Sequence, residues 1–203
     1  MSIILGYPHN GYVTALFMGS VLRAFTQDEA GLLEGWIQYG GCNVVSNRNR
    51  IVADFLEKSQ AGHLLFVDTD ESFPPAAPRL LAEAAESAPG VVGGAYPLKD
   101  GSNVFYRRTG PGRYESVPPV DGVVVEVDAL GTGLMLIPRG ILEDMKENST
   151  LPSSWWFGQD YEGDRLLGSD LTFCKRAREM GHKLYGHGGV RAGHLKHQLL
   201  ELP

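Results

Sequence analysis

Leu64-Leu65-Phe66-Val67-Asp68-Thr69-Asp70-Glu71-Ser72-Phe73 opens on an apolar run, begun one residue earlier by His63, and stops abruptly at two carboxylates one residue apart. A continuous apolar run of this length predicts a central strand covered on both faces. In an open α/β sheet, ligands bind at the carboxyl ends of such strands. If the strand continued through them, period-two geometry would put Asp68 and Asp70 on one side. Carboxylates held that close repel, so a cation or a proton must satisfy the pair. Magnesium or manganese, with carboxylate and phosphate oxygens, suits such a hard-oxygen site. Asp-x-Asp alone is common, and two exposed turn aspartates are the plain alternative.

Upstream, Ser2 to Leu5 is a short apolar run ending at Gly6-Tyr7-Pro8, which predicts a strand entering a loop. From Tyr12 to Phe25 the apolar residues recur at helical spacing, and Gly31 to Tyr39 predicts a second strand. Ser46 is an expected N-cap for a helix whose Ile51, Val52, Phe55 and Leu56 form one face, and Gly62 breaks it. Downstream, Pro74-Pro75 opens a helix carrying Leu80, Leu81, Ala84 and Ala85, and Val91 to Tyr96 is a further strand. Strand and helix thus alternate through the first half, which predicts an α/β fold with a mostly parallel sheet and helices on both faces. The middle changes character. Asn103–Arg108, Arg113–Val117 and Gly122–Val127 predict a small antiparallel region joined by Gly- and Pro-rich turns. A strand at Leu134–Ile137, a helix at Arg139–Lys146, a long loop from Asn148 to Leu167 and a helix from about Ser169 to Met180 follow. Short strands at Lys183–Tyr185 and Val190–His194 close the pattern.

A length of 203 residues suits one domain with a substantial core. Hydrophobic residues at 43% and charged residues at 21% are ordinary for a globular protein, so no class is favoured by composition alone. The net charge of −6 argues against a protein wrapped around a nucleic-acid backbone, though a local patch could still touch one. No apolar run reaches the ~18 residues of a membrane span. The opening Met1 to Gly11 lacks a basic leader and a long apolar core. A cytoplasmic protein is expected, in the host cytoplasm if phage-encoded. Cys42 and Cys174 match no metal or redox spacing and are expected to be two buried, reduced thiols.

Taken in order, several stretches resemble the small GT-A glycosyltransferases, particularly compact bacterial and phage-type, family 2-like members. They are Arg48-Asn49 through Leu56, the run from His63 to Pro75, Val91 to Lys99, Gly131 to Arg139, and Trp156 to Leu195. The resemblance covers nearly the whole chain and implies a single GT-A domain over 1–203, with a nucleotide-binding half at 1–100 and an acceptor-binding half at 101–203. It implies a metal-dependent transfer from a nucleotide diphosphate sugar, UDP-sugar favoured, to an acceptor hydroxyl. Asp68 would lie near the ribose or metal, and Asp70 would ligate Mn2+ (or Mg2+). Pro8 and Tyr12 would sit near the base, and Arg48 would approach the base or diphosphate. Gly131 and Gly133, lacking a Cβ, would let the backbone pass close to the donor or acceptor sugar. Asp170, at a helix start, would be the general base of an inverting reaction. The family often has Glu-Asp where this chain has Ser169-Asp170; Ser169 remains able to cap the helix, but a second acidic contact to the acceptor is lost. His194 would complete the metal shell. With His187 and His197 nearby in sequence, a zinc cluster is the alternative.

Trp155, Trp156 and Phe157 lie in the long loop, and aromatic faces stack well on sugars. Trp156 is the candidate acceptor platform; packing against the sheet edge is the alternative. The acceptor class stays open among a saccharide, a protein side chain and a hydroxymethylated phage DNA base, the last helped by Arg107-Arg108, Arg113 and the His194–His197 region. Two rival functions remain: a haloacid-dehalogenase-like phosphatase with Asp68 as nucleophile, and a non-catalytic sugar-nucleotide binder. A sugar nucleotidyltransferase is weaker, because no Gly-rich phosphate loop opens the chain.

Overall fold

The apolar runs become strands and the 3.6-period runs become helices, in the alternating order expected. The computed structural model describes residues 1–148 and 156–196, so Trp155 and His197 lie outside it. Strand β1 (Ile3–His9) leads to α1 (Ala15–Thr26), β2 (Leu33–Gly40) to α2 (Val44–Lys58), and β3 (His63–Val67) to β4 (Glu71–Ser72) and α3 (Ala77–Ser87). Next come β5 (Val91–Ala95), β6 (Phe105–Gly110), β7 (Arg113–Ser116), β8 (Val124–Val127), β9 (Ala129–Leu130) and β10 (Leu134–Pro138). Helix α4 (Arg139–Asn148), β11 (Tyr161–Glu162), β12 (Arg165–Leu166), α5 (Ser169–Glu179), β13 (Leu184–Arg191) and β14 (Gly193–His194) complete the order. The two final strands expected from sequence are thus one longer strand and a two-residue extension.

The central sheet has seven strands in the order β2-β1-β3-β10-β5-β13-β8. Its parallel character is weaker than expected. β10 runs antiparallel to both β3 and β5, and β8 antiparallel to β13. Three adjacent pairs are parallel: β1 with β2, β1 with β3, and β5 with β13. The reason is local. The chain leaves β9 and, after the short Gly131-Thr132-Gly133 link, starts β10 with Leu134 opposite Val67, at the carboxyl end of β3. Strand β10 can then only run back. Of the expected antiparallel region, β6 and β7 do form a separate three-stranded sheet, β7-β6-β9, but the third expected strand, β8, joins the edge of the central sheet, and the short β9 takes its place.

Helices flank the sheet, with α2 resting on β1 and β2 and α3 on β5, β10 and β13. Helix α2 begins earlier than Ser46 suggested. Asn43 is the cap, its side chain accepting from the Ser46 N–H at 2.9 Å. Thr14 caps α1 in the same way, accepting from Phe17 N–H at 3.1 Å.

The core explains the loop aromatics. Trp156 is 2% exposed, and its indole N–H donates to the Leu142 carbonyl at 2.8 Å. Neither face is free to carry a sugar, so the acceptor-platform role for Trp156 is withdrawn. Phe157 lies edge-on to Phe66 at 5.3 Å and stacks on Phe173 at 4.8 Å. Asn49 holds Phe157 as a strand neighbour would, accepting from its N–H at 3.0 Å and donating to its carbonyl at 2.9 Å. Phe157→Ala is expected to cost about 3–5 kcal/mol, read as a lower urea midpoint at constant slope. The thiols also differ from expectation. Cys174 is buried against Leu130, but Cys42 is exposed, because it lies in the loop between β2 and α2. No helix among the described residues is long and apolar enough to cross a membrane.

Candidate active site

Strand β3 does not continue into the acidic triplet. The chain turns after Val67, with the Glu71 N–H donating to the Asp68 carbonyl at 3.0 Å. The turn is held from three sides. Asp68 N–H donates to Gly133 O at 3.1 Å, Thr14 Oγ1 donates to Thr69 O at 2.9 Å, and Leu195 N–H donates to Asp70 O at 2.8 Å. Because it is a turn, Asp68 and Asp70 do not share a partner as strand neighbours would.

Asp68 faces Arg48. One guanidinium nitrogen donates to both Asp68 oxygens, at 3.0 and 3.2 Å. The other donates to Ser169 Oγ at 3.0 Å and lies 3.8 Å from Asp170 Oδ1. Arg48 is buried beneath the site and does not line the cleft described below, so its expected direct approach to the donor becomes support of Asp68 and Asp170. Burial opposes its charge, but the Asp68 and Asp170 carboxylates prevail and raise the guanidinium pKa further. Ser169 is not the helix cap; Gly168 holds that position, and Ser169 instead links Arg48 to Asp170, donating to Asp170 Oδ1 at 3.2 Å. Neither link had a sequence signal, because 121 positions separate Arg48 from Ser169.

Asp70 faces the other way. Asp70, Glu71 and His194 bring one ligand atom each to within 4.8 Å of one another. Strands β4 and β14 make this possible by pairing Glu71 with His194. Glu71 is fully buried, and neither of its oxygens has a hydrogen-bond partner. Burial, then the neighbouring Asp70 and Asp68 charges, push its carboxyl up to about 9. His194 Nδ1 lies 2.9 Å from the Pro97 carbonyl and must donate to it, since a carbonyl only accepts. That leaves His194 Nε2 aimed at Asp70 Oδ2 at 3.1 Å and Glu71 Oε1 at 3.5 Å. Two carboxyl groups and an imidazole nitrogen thus converge, and both oxygens of buried Glu71 are without a hydrogen-bond partner. This donor set fits a divalent cation. The expected ligands Asp70 and His194 are therefore brought together, while Asp68 is replaced in the group by Glu71. His187 is not part of this group, and His197, the other histidine of the zinc alternative, lies outside the described residues.

Beside the group opens a cleft of about 790 Å³ lined by Pro8, Tyr12, Asn47, Asp68, Asp70 and Lys196 among others. That volume is in the range of small-molecule sites. Tyr12 stands 81% exposed at its edge. Gly131 and Gly133, by contrast, are buried and make room for Tyr96 rather than for a sugar. A Cβ on Gly131 would strike the Tyr96 hydroxyl, and one on Gly133 would lie 2.7 Å from its ring. The Tyr96 oxygen accepts from Gly133 N–H at 2.9 Å, and its ring packs edge-on to His194. Arg107 and Arg108, considered for a DNA patch, are engaged by Asp128 and Glu162.

No family model and no curated protein matches the sequence. Solved structures do match by shape. The crystal structure of A197 from STIV superimposes with a TM-score of 0.70 at 20% identity, covering 97% of this chain and 87% of that one. The crystal structure of GalNAc-T7 with UDP, GalNAc and Mn2+ gives a TM-score of 0.56 at 11% identity, covering 96% of this chain but 44% of that one. The fold is accordingly GT-A-like, with an acidic and histidine group capable of holding a divalent metal.

Proposed function

We propose that this chain is a divalent-cation-dependent glycosyltransferase that moves a sugar from a nucleotide diphosphate sugar, UDP-sugar favoured, to an acceptor hydroxyl. The observation that carries the proposal is Glu71, a buried carboxyl group with both oxygens unpartnered, grouped with His194 and with Asp70, which itself lines the cleft of about 790 Å³. The GT-A-like fold adds support, since GalNAc-T7 has been crystallised with UDP, GalNAc and Mn2+.

Asp70, Glu71 and His194 would hold Mn2+ or Mg2+, whose charge would offset that developing on the departing diphosphate. Pro8 and Tyr12 would flank the base. Asp68, fixed by Arg48, would present an oxygen to the ribose side of the donor. Asp170 would take the acceptor hydroxyl proton as that oxygen bonds to the anomeric carbon and the bond to the diphosphate breaks, with inversion. Its side chain is 39% exposed, and the α5 N-terminus favours its charge. A phosphatase would need Asp68 free as nucleophile, and the Arg48 clamp on both oxygens weighs against that.

Donor turnover tests the proposal. A panel of nucleotide sugars assayed with Mn2+ should give cation-dependent nucleotide release that Asp70→Ala abolishes. Turnover unchanged in Asp70→Ala, or release of phosphate from simple phosphomonoesters instead, would overturn it.

A further inference from the structure

Lys196 stands on the carboxylate oxygen that a cation would need. Its Nζ lies 3.0 Å from Asp70 Oδ2, the same atom that His194 Nε2 approaches at 3.1 Å. The backbone fixes this placement, because Leu195 N–H donates to Asp70 O and His194 pairs with Glu71. Among the described residues, Lys196 is also the only Lys or Arg lining the 790 Å³ cleft. Its side chain is 37% exposed, so the ion pair with Asp70 is of the weak, exchangeable kind.

An ammonium and a divalent cation on one oxygen repel each other strongly. We propose that Lys196 is an exchangeable counter-ion: in the cation-free protein it neutralises Asp70, and a cation binding to Asp70, Glu71 and His194 releases it to a phosphate oxygen of the nucleoside diphosphate. This rests on the cation reading of the site given above. It adds a coupling: the cation frees the one basic side chain that the diphosphate needs, and the diphosphate in turn retains Lys196 away from Asp70. Each ligand therefore strengthens the other by the same factor.

Two titrations on the intact chain separate this exchange from a structural role: Mn2+ alone, and uridine diphosphate at saturating Mn2+. Both are run on the parent, Lys196→Met and Lys196→Arg by calorimetry. Lys196→Met should bind Mn2+ alone about two- to fivefold more tightly, the span of an exposed ion pair removed. It should bind uridine diphosphate about tenfold or more weakly, as befits a lost charge-assisted hydrogen bond. Lys196→Arg should resemble the parent in both. The opposite signs are the signature, because damage to the fold would weaken both ligands together; Lys196→Gln, read in parallel, serves if Lys196→Met does not fold. Mn2+ affinity that is unchanged or lowered in these neutral variants, while the parent binds Mn2+, overturns the exchange and leaves the cation site standing. A parent that binds no Mn2+ overturns both.

Discussion

The Glu71→Gln protein is expected to lose divalent-cation binding while its cation-free form stays at least as stable as the parent. Glutamine has the shape of a protonated glutamate, and burial with two acidic neighbours keeps Glu71 protonated up to about 9. Removing a buried, unpartnered acid therefore costs the cation-free fold little. The cation, however, requires the ionised form. Mn2+ affinity should fall at least about 100-fold, beyond what losing an outer-shell partner costs. The pH dependence follows in sign. A carboxyl raised in the folded state stabilises fully below its ordinary value of 4.5, and that stability is lost as pH rises through about 9. Cation-free thermal stability should decline over that window in the parent and decline less in Glu71→Gln, while parental Mn2+ affinity climbs. Melting curves with and without Mn2+ at several pH values check all of this. A variant that retains the Mn2+-induced rise in melting temperature would exclude Glu71 as a ligand.

Arg48→Met should have the second large effect. It removes the guanidinium that serves Asp68, Ser169 and Asp170 from beneath the site. Breaking a buried ion pair usually costs about 3–5 kcal/mol. Here about 2–3 kcal/mol is expected, because the Asp68 and Asp170 side chains keep 32% and 39% exposure and rehydrate. Nucleotide affinity with Mn2+ present should fall about 10- to 100-fold, since Asp68 is left without its positioning partner. Arg48→Lys should recover part of the stability but little of the affinity: one ammonium cannot reproduce the fork that reaches Asp68 and Ser169 together. Urea unfolding and calorimetry read the two effects separately. Unchanged nucleotide binding in a folded Arg48→Met protein would remove Arg48 from the site.

Much of the fold was legible because its signals are local. The run His63 to Val67, the helical spacings and the β-rich middle each became the element that they imply. What escaped was set by distant partners. Nothing in Leu134 to Pro138 announces an antiparallel strand; its direction follows from where the preceding link delivers it. Trp156 read as an acceptor platform because it falls with Phe157 in a long loop, yet Trp156 bonds Leu142 in the core and Asn49 and Phe173 hold Phe157 beside it. In the site, Asp70 and His194 were legible and do meet. Glu71 was missed because strand periodicity was extended into what is a turn, and Arg48 was given to the donor because its partners lie at Asp68 and Ser169, far along the chain.

An anomalous-scattering map from crystals soaked in Mn2+ and uridine diphosphate tests the account most directly. It should place a single strong peak in direct contact with Asp70, Glu71 and His194, with diphosphate on its open side and Lys196 moved from Asp70 to a phosphate oxygen. Crystals in which the nucleotide binds elsewhere, or in which Lys196 still holds Asp70 and no peak touches Glu71, would contradict it.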